Sequence, residues 1–439
     1  MRLPLAAAFM AAGLALATTA HGAPRDPAER KMVEVVRAEH GRNVELLKQM
    51  VLVNSGSMNF AGVERVGRMM RAELEPLGFQ VRWIPMAEAG RAGHIVATHK
   101  GNGRGKRMLL VGHLDTVFEP DSPFQGWTVR GDIAEGPGSS DMKGGLVIMV
   151  SALRAMQQAG TLKDADITVV LTGDEEKPGS PIALARRDLI AAGQASDVAL
   201  DFEGLSREGG RDTGSIARRS SNSWTLKVKA RSGHSSGVCM QGVGCGAIYE
   251  LARIIDTFRR ELPEPNLTYN VALVSGGAQA SINPAETAVS ASGKANIIAA
   301  EAVALGDIRT LSPEQDARVR AKMEAIVARS LPNAEAKIAF ADTGYPAMAP
   351  TEGNRRLLAR LNEVNRTLDL PEMPTGDPAS RGAGDIAFVS FIDGLVGLGM
   401  AGQGSHAPGE TADLKSLDVQ AMRAALLMTR LSKEPRPAR

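Results

Sequence analysis

Three short runs of almost unbroken apolar residues constrain this chain most: RMLLVG at 107–112, DITVVLTG at 166–173 and DVALDFEG at 197–204. Each is too short for a typical helix and lacks a polar face at every second position. Such runs suit strands covered on both sides. Helix-length segments alternate with them, GGLVIMVSALRAMQQAG at 144–160 and SPIALARRDLIAAG at 180–193. This rhythm predicts an α/β fold, a sheet flanked by helices. QVRWIPM and HIVATH add two further strands, and helices are expected over 26–50 and 62–77. In open sheets of this kind ligands bind beyond the carboxyl ends of the strands.

The pattern changes near Ser220. NSWTLKVKA alternates as a half-exposed strand does. A helix at 246–262 follows, then strands YNVALVSGG and ETAVSASGKANII, a helix opening at Ser312-Pro313, and a last alternating strand, AEAKIAFADTG. The order β-α-β-β-α-β predicts a ferredoxin-like α+β unit over 217–345. The expected plan is a catalytic domain from 23–216 and 346–439, with 217–345 inserted as a lid.

Composition excludes some functions. A formal net charge of +2 and 4% aromatic residues argue against nucleic acid as a partner. Residues 1–22 read as a secretory signal peptide, with Arg2, an apolar stretch and small residues at the break. The alternative is an uncleaved anchor, for which the stretch is only marginally long enough. The processed chain is expected to be exported, periplasmic or secreted, with no membrane partner. Cys239 and Cys245 fit either a small disulfide loop or two free thiols.

Six metal-favouring residues sit beside strand ends or in glycine turns: His113, Asp141, Glu175, Glu176, Glu203 and His406. Two imidazoles and four carboxylates can hold a pair of divalent ions and leave one carboxylate to move protons. A neutral His113 is a good zinc ligand, with Asp115 placed to hold its second ring nitrogen. Asp141, between glycines in GPGSSDMKGG, fits either a carboxylate bridging two ions or a helix N-cap. Glu175 and Glu176 are adjacent and leave a strand toward different sides, so one can bind metal while its neighbour faces substrate.

The motifs GHLDTV, GPGSSDMKGG, DEEK, DFEG and GSHAPGE resemble those of the zinc exopeptidase family. That family includes glutamate carboxypeptidase, succinyl-diaminopimelate desuccinylase, acetylornithine deacetylase and aminoacylase. The resemblance runs over nearly the whole processed chain. It implies a catalytic domain with two Zn2+ ions per subunit, Co2+ or Mn2+ being possible substitutes, and a lid that forms a homodimer. It implies that Asp141 bridges the ions, with His113 and Glu203 on one and Glu176 and His406 on the other. Glu175 would be the general base, and Asp115 would support His113. His234 would reach an active site, often the partner subunit's, and Asn283 would lie near the substrate carboxylate. The substrate class is a small peptide or an N-acyl amino acid.

The chain departs from the glutamate carboxypeptidase pattern. Tyr345 and Lys294 stand near positions where arginines are expected, and Lys cannot fork onto a carboxylate as Arg does. Arg381 in SRGAGD is a candidate substitute anchor. A competing reading is a serine hydrolase, because 233–237 satisfies G-x-S-x-G around Ser235, with Asp385 and His406 following in triad order.

Overall fold

In the computed structural model, which describes Pro24 and residues 26–436, the apolar runs are strands covered on both faces. The expected signal peptide lies outside the described residues. Five strands come first: β1 (Gln80–Pro85), β2 (Gly93–His99), β3 (Met108–His113), β4 (Ile167–Thr172) and β5 (Val198–Asp201). Then come β6 (Asn222–Ala230), β7 (Thr268–Gly277), β8 (Glu301–Arg309) and β9 (Ala334–Phe340), and finally β10 (Asp393–Val396). The first sheet has the order β1-β2-β4-β3-β5-β10. Strands β4, β3, β5 and β10 are parallel; β1 and β2 join antiparallel at one edge. The sheet is therefore mixed and flanked by helices.

The reason β3 carries no polar face is visible in its packing. Met108 and Leu110 enter the core beneath the helices, whereas Leu109 and Val111 enter the opposite core with Leu189, Ile386 and Val389. Each residue of the strand thus finds apolar cover, at about 1.5–3 kcal/mol for a large side chain.

The flanking helices are α1 (Pro27–Ala38), α2 (His40–Val51), α3 (Phe60–Leu74) and α4 (Lys143–Gln158) before the insertion, α5 (Ala247–Glu261) and α6 (Pro313–Val327) within it, and α7 (Glu352–Thr367) and α8 (Leu414–Leu431) after it. Helices α1 and α8 pack on α4, which is buried nearly all round. One helix over 26–50 was expected; the chain breaks at Glu39 (φ −93°, ψ 6°) into α1 and α2. There the Glu39 carboxylate takes both forks of Arg154 at 2.7 Å, a long-range pairing that periodicity does not show. The 180–193 segment likewise splits into two short helices, 182–185 and 187–194.

The second sheet has the order β7-β8-β6-β9 and is antiparallel throughout. With α5 and α6 it follows the ferredoxin-like chain order. Its separate core gathers Trp224, Leu226 and Val228 from β6 with Ile254, Phe258 and Met323. Trp224 meets Phe258 edge-on at 6.0 Å. Cys239 and Cys245, in the α5 approach, are disulfide-bonded.

Candidate active site

Three parallel strands deliver the candidate site residues. His113 ends β3, Glu175 and Glu176 follow β4, and Glu203 follows β5. Asp141 occupies the turn before α4. His406 sits in the loop after β10, held at φ +67°, a left-handed conformation that few non-glycine residues adopt.

Their side chains converge. His113 Nε2 lies 3.3 Å from Asp141 Oδ1 and 3.4 Å from Glu203 Oε1. His406 Nε2 lies 3.2 Å from Asp141 Oδ2 and 3.1 Å from Glu176 Oε2. Asp141 thus presents one oxygen to each imidazole. The potential ligand atoms of His113, Glu175 and Glu203 also fall within 4.8 Å of one another, as do those of His113, Asp141 and Glu176.

Two observations fit this set to divalent metal. First, His113 Nε2 and Glu176 Oε1 are buried without a hydrogen-bond partner, which is costly unless something else occupies them. His113 Nδ1 faces the Asp115 carbonyl at 3.0 Å. That fixes the proton on Nδ1 and leaves the Nε2 lone pair free. Second, the cluster is strongly acidic. Burial depresses the His113 pKa, but contacts to Asp115, Asp141 and Glu203 outweigh it and hold it well above the ordinary value. Contacts with Asp141 and Glu176 push His406 up to about 11. Burial, then the Asp141 charge, raises Glu176 to about 7. Imidazoles this basic measure how strongly the carboxylates attract positive charge, which divalent cations supply directly. Glu175 is raised well above the carboxylate range, chiefly by burial, with the charges of Glu203, Glu176 and Asp385 adding to it.

The supporting residues tie these loops together. Asp115 is wholly buried. It accepts the Ser57 hydroxyl at 2.6 Å and the backbone N–H groups of Glu175 and Glu176 at 3.0 and 3.1 Å. One carboxylate thereby links the His113 strand end to the glutamate turn. Glu410 does the same for the other loops. Its carboxylate accepts N–H groups from Gly138 at 2.9 Å, Ser140 at 2.8 Å and Asp141 at 2.9 Å, plus the Ser140 hydroxyl at 2.9 Å. It lies four residues beyond His406, so it anchors the His406 loop to the Asp141 turn.

A cleft of about 240 Å³ opens on the cluster, lined by Asp141, Glu175, Glu203, His406, Arg218 and Arg381 among others. Arg381 donates to the Gly204 carbonyl at 2.7 Å and leaves a buried Nε without a partner. Arg218 was not singled out from the sequence. It is only 5% exposed, donates from Nε to the Gly382 carbonyl at 2.7 Å, and has an Nη1 with no hydrogen-bond partner that ion-pairs at longer range with Glu203 at 3.8 Å and Asp201 at 3.9 Å. The IARRSS segment gives no local sign of this. In the fold the Arg218 guanidinium packs against Gly384, where a Cβ would lie 2.6 Å from Nη1.

Within this chain three further expectations fall outside the cleft. His234 is exposed after β6 in the second-sheet unit and pairs with the Ser236 hydroxyl at 2.8 Å. Asn283 spends its side chain on its own hairpin turn, accepting from Thr287 and Ala288 N–H at 2.8 and 2.9 Å. Lys294 is exposed between β7 and β8. Tyr345 is buried rather than presented as an open anchor. The serine-hydrolase reading is overturned: Ser235 begins a short turn after β6, Asp385 is bound to Arg186 at 2.7 Å, and His406 faces Asp141 and Glu176.

Comparison with known proteins agrees with this geometry. The family described as Peptidase family M20/M25/M40 matches residues 109–430. Carboxypeptidase G2 of Pseudomonas sp. (strain RS-16) is 28% identical over 442 residues, covering 98% of each chain. A succinyl-diaminopimelate desuccinylase of Novosphingobium aromaticivorans is 27% identical, covering 80% of this chain and 88% of the relative. Among solved structures, a tripeptidase from Staphylococcus aureus superposes with a TM-score of 0.67 at 17% identity, covering 90% of this chain and 99% of that one. A Bacillus subtilis protein described as a dinuclear metal binding peptidase from the M20 family gives a TM-score of 0.62 at 16% identity, covering 90% and 99%. The chain belongs to peptidase family M20/M25/M40 and is a metallohydrolase of that family.

Proposed function

We propose that this protein is a dinuclear zinc hydrolase of the carboxypeptidase type, cleaving an amide bond beside a free carboxylate. The observation that carries this reading is the pair of guanidiniums on one cleft wall. Arg218 and Arg381 each leave a buried nitrogen without a hydrogen-bond partner on this wall, Arg218 with only the long ion pairs to Glu203 and Asp201. Buried donors of this kind seek an anionic acceptor.

When bound, a cation pair supplies Lewis acidity, acidifying the attacking water and polarising the scissile carbonyl. His113, Asp141 and Glu203 would hold one ion; Asp141, Glu176 and His406 would hold the other. Glu175 takes the proton of the attacking water and passes it to the leaving amine. Asp115 keeps the His113 ring and the glutamate turn in register. Arg218 and Arg381 orient the substrate through its carboxylate, which fixes the amide over Glu175.

Two arginines on one wall also favour a second reading, an N-acyl amino acid deacylase whose acyl group carries its own carboxylate. A screen of dipeptides, N-succinyl and N-acyl amino acids with the metal-reconstituted protein separates the two. The carboxypeptidase reading is lost if C-terminally amidated peptides are cleaved as fast as the free acids.

We further propose export after removal of residues 1–22, and a homodimer through the lid. The lid edge strand β7 and the start of α5 expose Val274 (54%), Ile248 (46%) and Tyr249 (57%), an apolar strip that supports pairing there. In such a dimer His234 and Asn283 could serve the partner's cleft. N-terminal sequencing of exported protein and light scattering of Val274→Lys check these two points.

A further inference from the structure

The two connections between the sheets run antiparallel to each other. Arg218 bridges with Met348, and Ser221 with Tyr345. Ser221 N donates to the Tyr345 carbonyl at 3.1 Å, and Tyr345 N to the Ser221 carbonyl at 2.9 Å. The outgoing connection brings Arg218 to the cleft. The returning one brings Tyr345 to the rear of the glutamate turn.

Tyr345 is 7% exposed, and its ring meets Phe388 edge-on at 5.1 Å. Its hydroxyl contacts Arg186 Nη2 and lies 2.9 Å from the Glu175 carbonyl oxygen. A guanidinium has no acceptor. The hydroxyl must therefore accept from Arg186, and its one proton goes to the Glu175 carbonyl. Arg186 is wholly buried and immobilised by Asp385 at 2.7 Å, the Asp174 carboxylate at 2.6 Å and the Asp174 carbonyl at 3.1 Å. On the same turn, Asp115 accepts the N–H groups of Glu175 and Glu176. Two amides are fixed by Asp115, and two carbonyls by Arg186 and Tyr345. Only the glutamate side chains are left to act.

We propose that Tyr345 is a positioning residue for Glu175: its hydroxyl, clamped by Arg186, fixes the peptide that follows Glu175 and couples that peptide to the strand returning from the lid. The inference rests on the reading of Glu175 as the proton carrier. A phenylalanine at 345 would keep the ring packing and lose only the hydroxyl. The Glu175 carbonyl and one Arg186 donor would then lack that partner.

The test compares Tyr345→Phe, Phe388→Leu and Glu175→Gln in the full metal-loaded protein. Steady-state kinetics, metal content, unfolding midpoint and amide exchange of the 173–178 segment are read for each. Tyr345→Phe is expected to lower kcat about 10-fold, as small misplacements of a reacting group do. Its KM should stay within about twofold, its metal content full, and its 173–178 amides should exchange faster. Phe388→Leu is expected to lower the midpoint and to reduce kcat less than Tyr345→Phe does, because the hydroxyl bonds to Arg186 and Glu175 remain. The proposal is overturned by a wild-type kcat in Tyr345→Phe, by an equal kcat loss in Phe388→Leu, or by an effect confined to KM, which would make Tyr345 a substrate contact. An active Glu175→Gln would instead sink the proton-carrier reading itself.

Discussion

Replacing Glu410 with alanine tests how the Asp141 turn is held. The carboxylate is wholly buried and accepts four hydrogen bonds, three of them from backbone N–H groups between 2.8 and 2.9 Å. Each buried donor left without an acceptor costs about 1–3 kcal/mol. The space vacated by the side chain can admit water, so the lower end applies and the four donors sum to about 4 kcal/mol. Glu410→Gln keeps one oxygen, enough for the three donors now on Oε1, but turns an amide toward the Gly138 N–H. About 1–2 kcal/mol is expected for it. Because the lost bonds belong to the turn that presents Asp141, metal affinity should fall about 10–100-fold in the alanine variant. Urea unfolding of the metal-free protein and competition with a chelator measure the two effects separately. A metal-free Glu410→Ala protein that unfolds with the wild-type midpoint and binds metal as tightly would refute the reasoning.

Other consequences are open to direct measurement. Glu175→Gln should retain metal and lose about 10²–10⁴ in kcat, the usual contribution of a positioned acid–base group; a variant with normal turnover contradicts that role. Chelation should abolish activity and added zinc or cobalt restore it, whereas Ser235→Ala should be silent. Arg218→Ala should raise KM for carboxylate substrates about 10-fold or more, with a much smaller effect on their amidated counterparts, since a charge-assisted bond contributes about 1.5–3 kcal/mol. Asp212 is held below the ordinary carboxylate range: burial raises it, but Arg423 and Arg207 outweigh this. A carboxylate depressed in the folded state stabilises above its unfolded pKa, and that contribution fades as pH falls below about 4. Asp212→Asn should therefore flatten the acid limb of the stability curve, and an unchanged limb would show the pair to be inert.

What could be read from the sequence follows from how local each signal is. The covered strands β3, β4 and β5 announce themselves because a strand enclosed on both faces needs apolar residues at every position. The site residues at their ends then follow from the general placement of ligands in such sheets. The second sheet was legible for the opposite reason, the strict alternation of β6 with Trp224, Leu226 and Val228 inward and Lys227 and Lys229 outward. Buried charge networks left no such trace. Arg186 meets Tyr345 across 159 residues and Glu410 meets Ser140 across 270. An arginine or glutamate that is wholly buried looks in sequence like one on the surface. Arg218 is such a residue, and the role of Tyr345 lies in a hydroxyl bond to the Glu175 carbonyl 170 residues away, which no local pattern marks.

Anomalous diffraction from a crystal of the zinc-loaded protein tests the metal centre most directly. Two peaks about 3.5–4 Å apart are expected. They should lie on either side of the Asp141 carboxylate, one against His113 and Glu203 and the other against Glu176 and His406. Peaks elsewhere on the molecule, or none within reach of Asp141, would contradict the shared site on which the proposed chemistry depends.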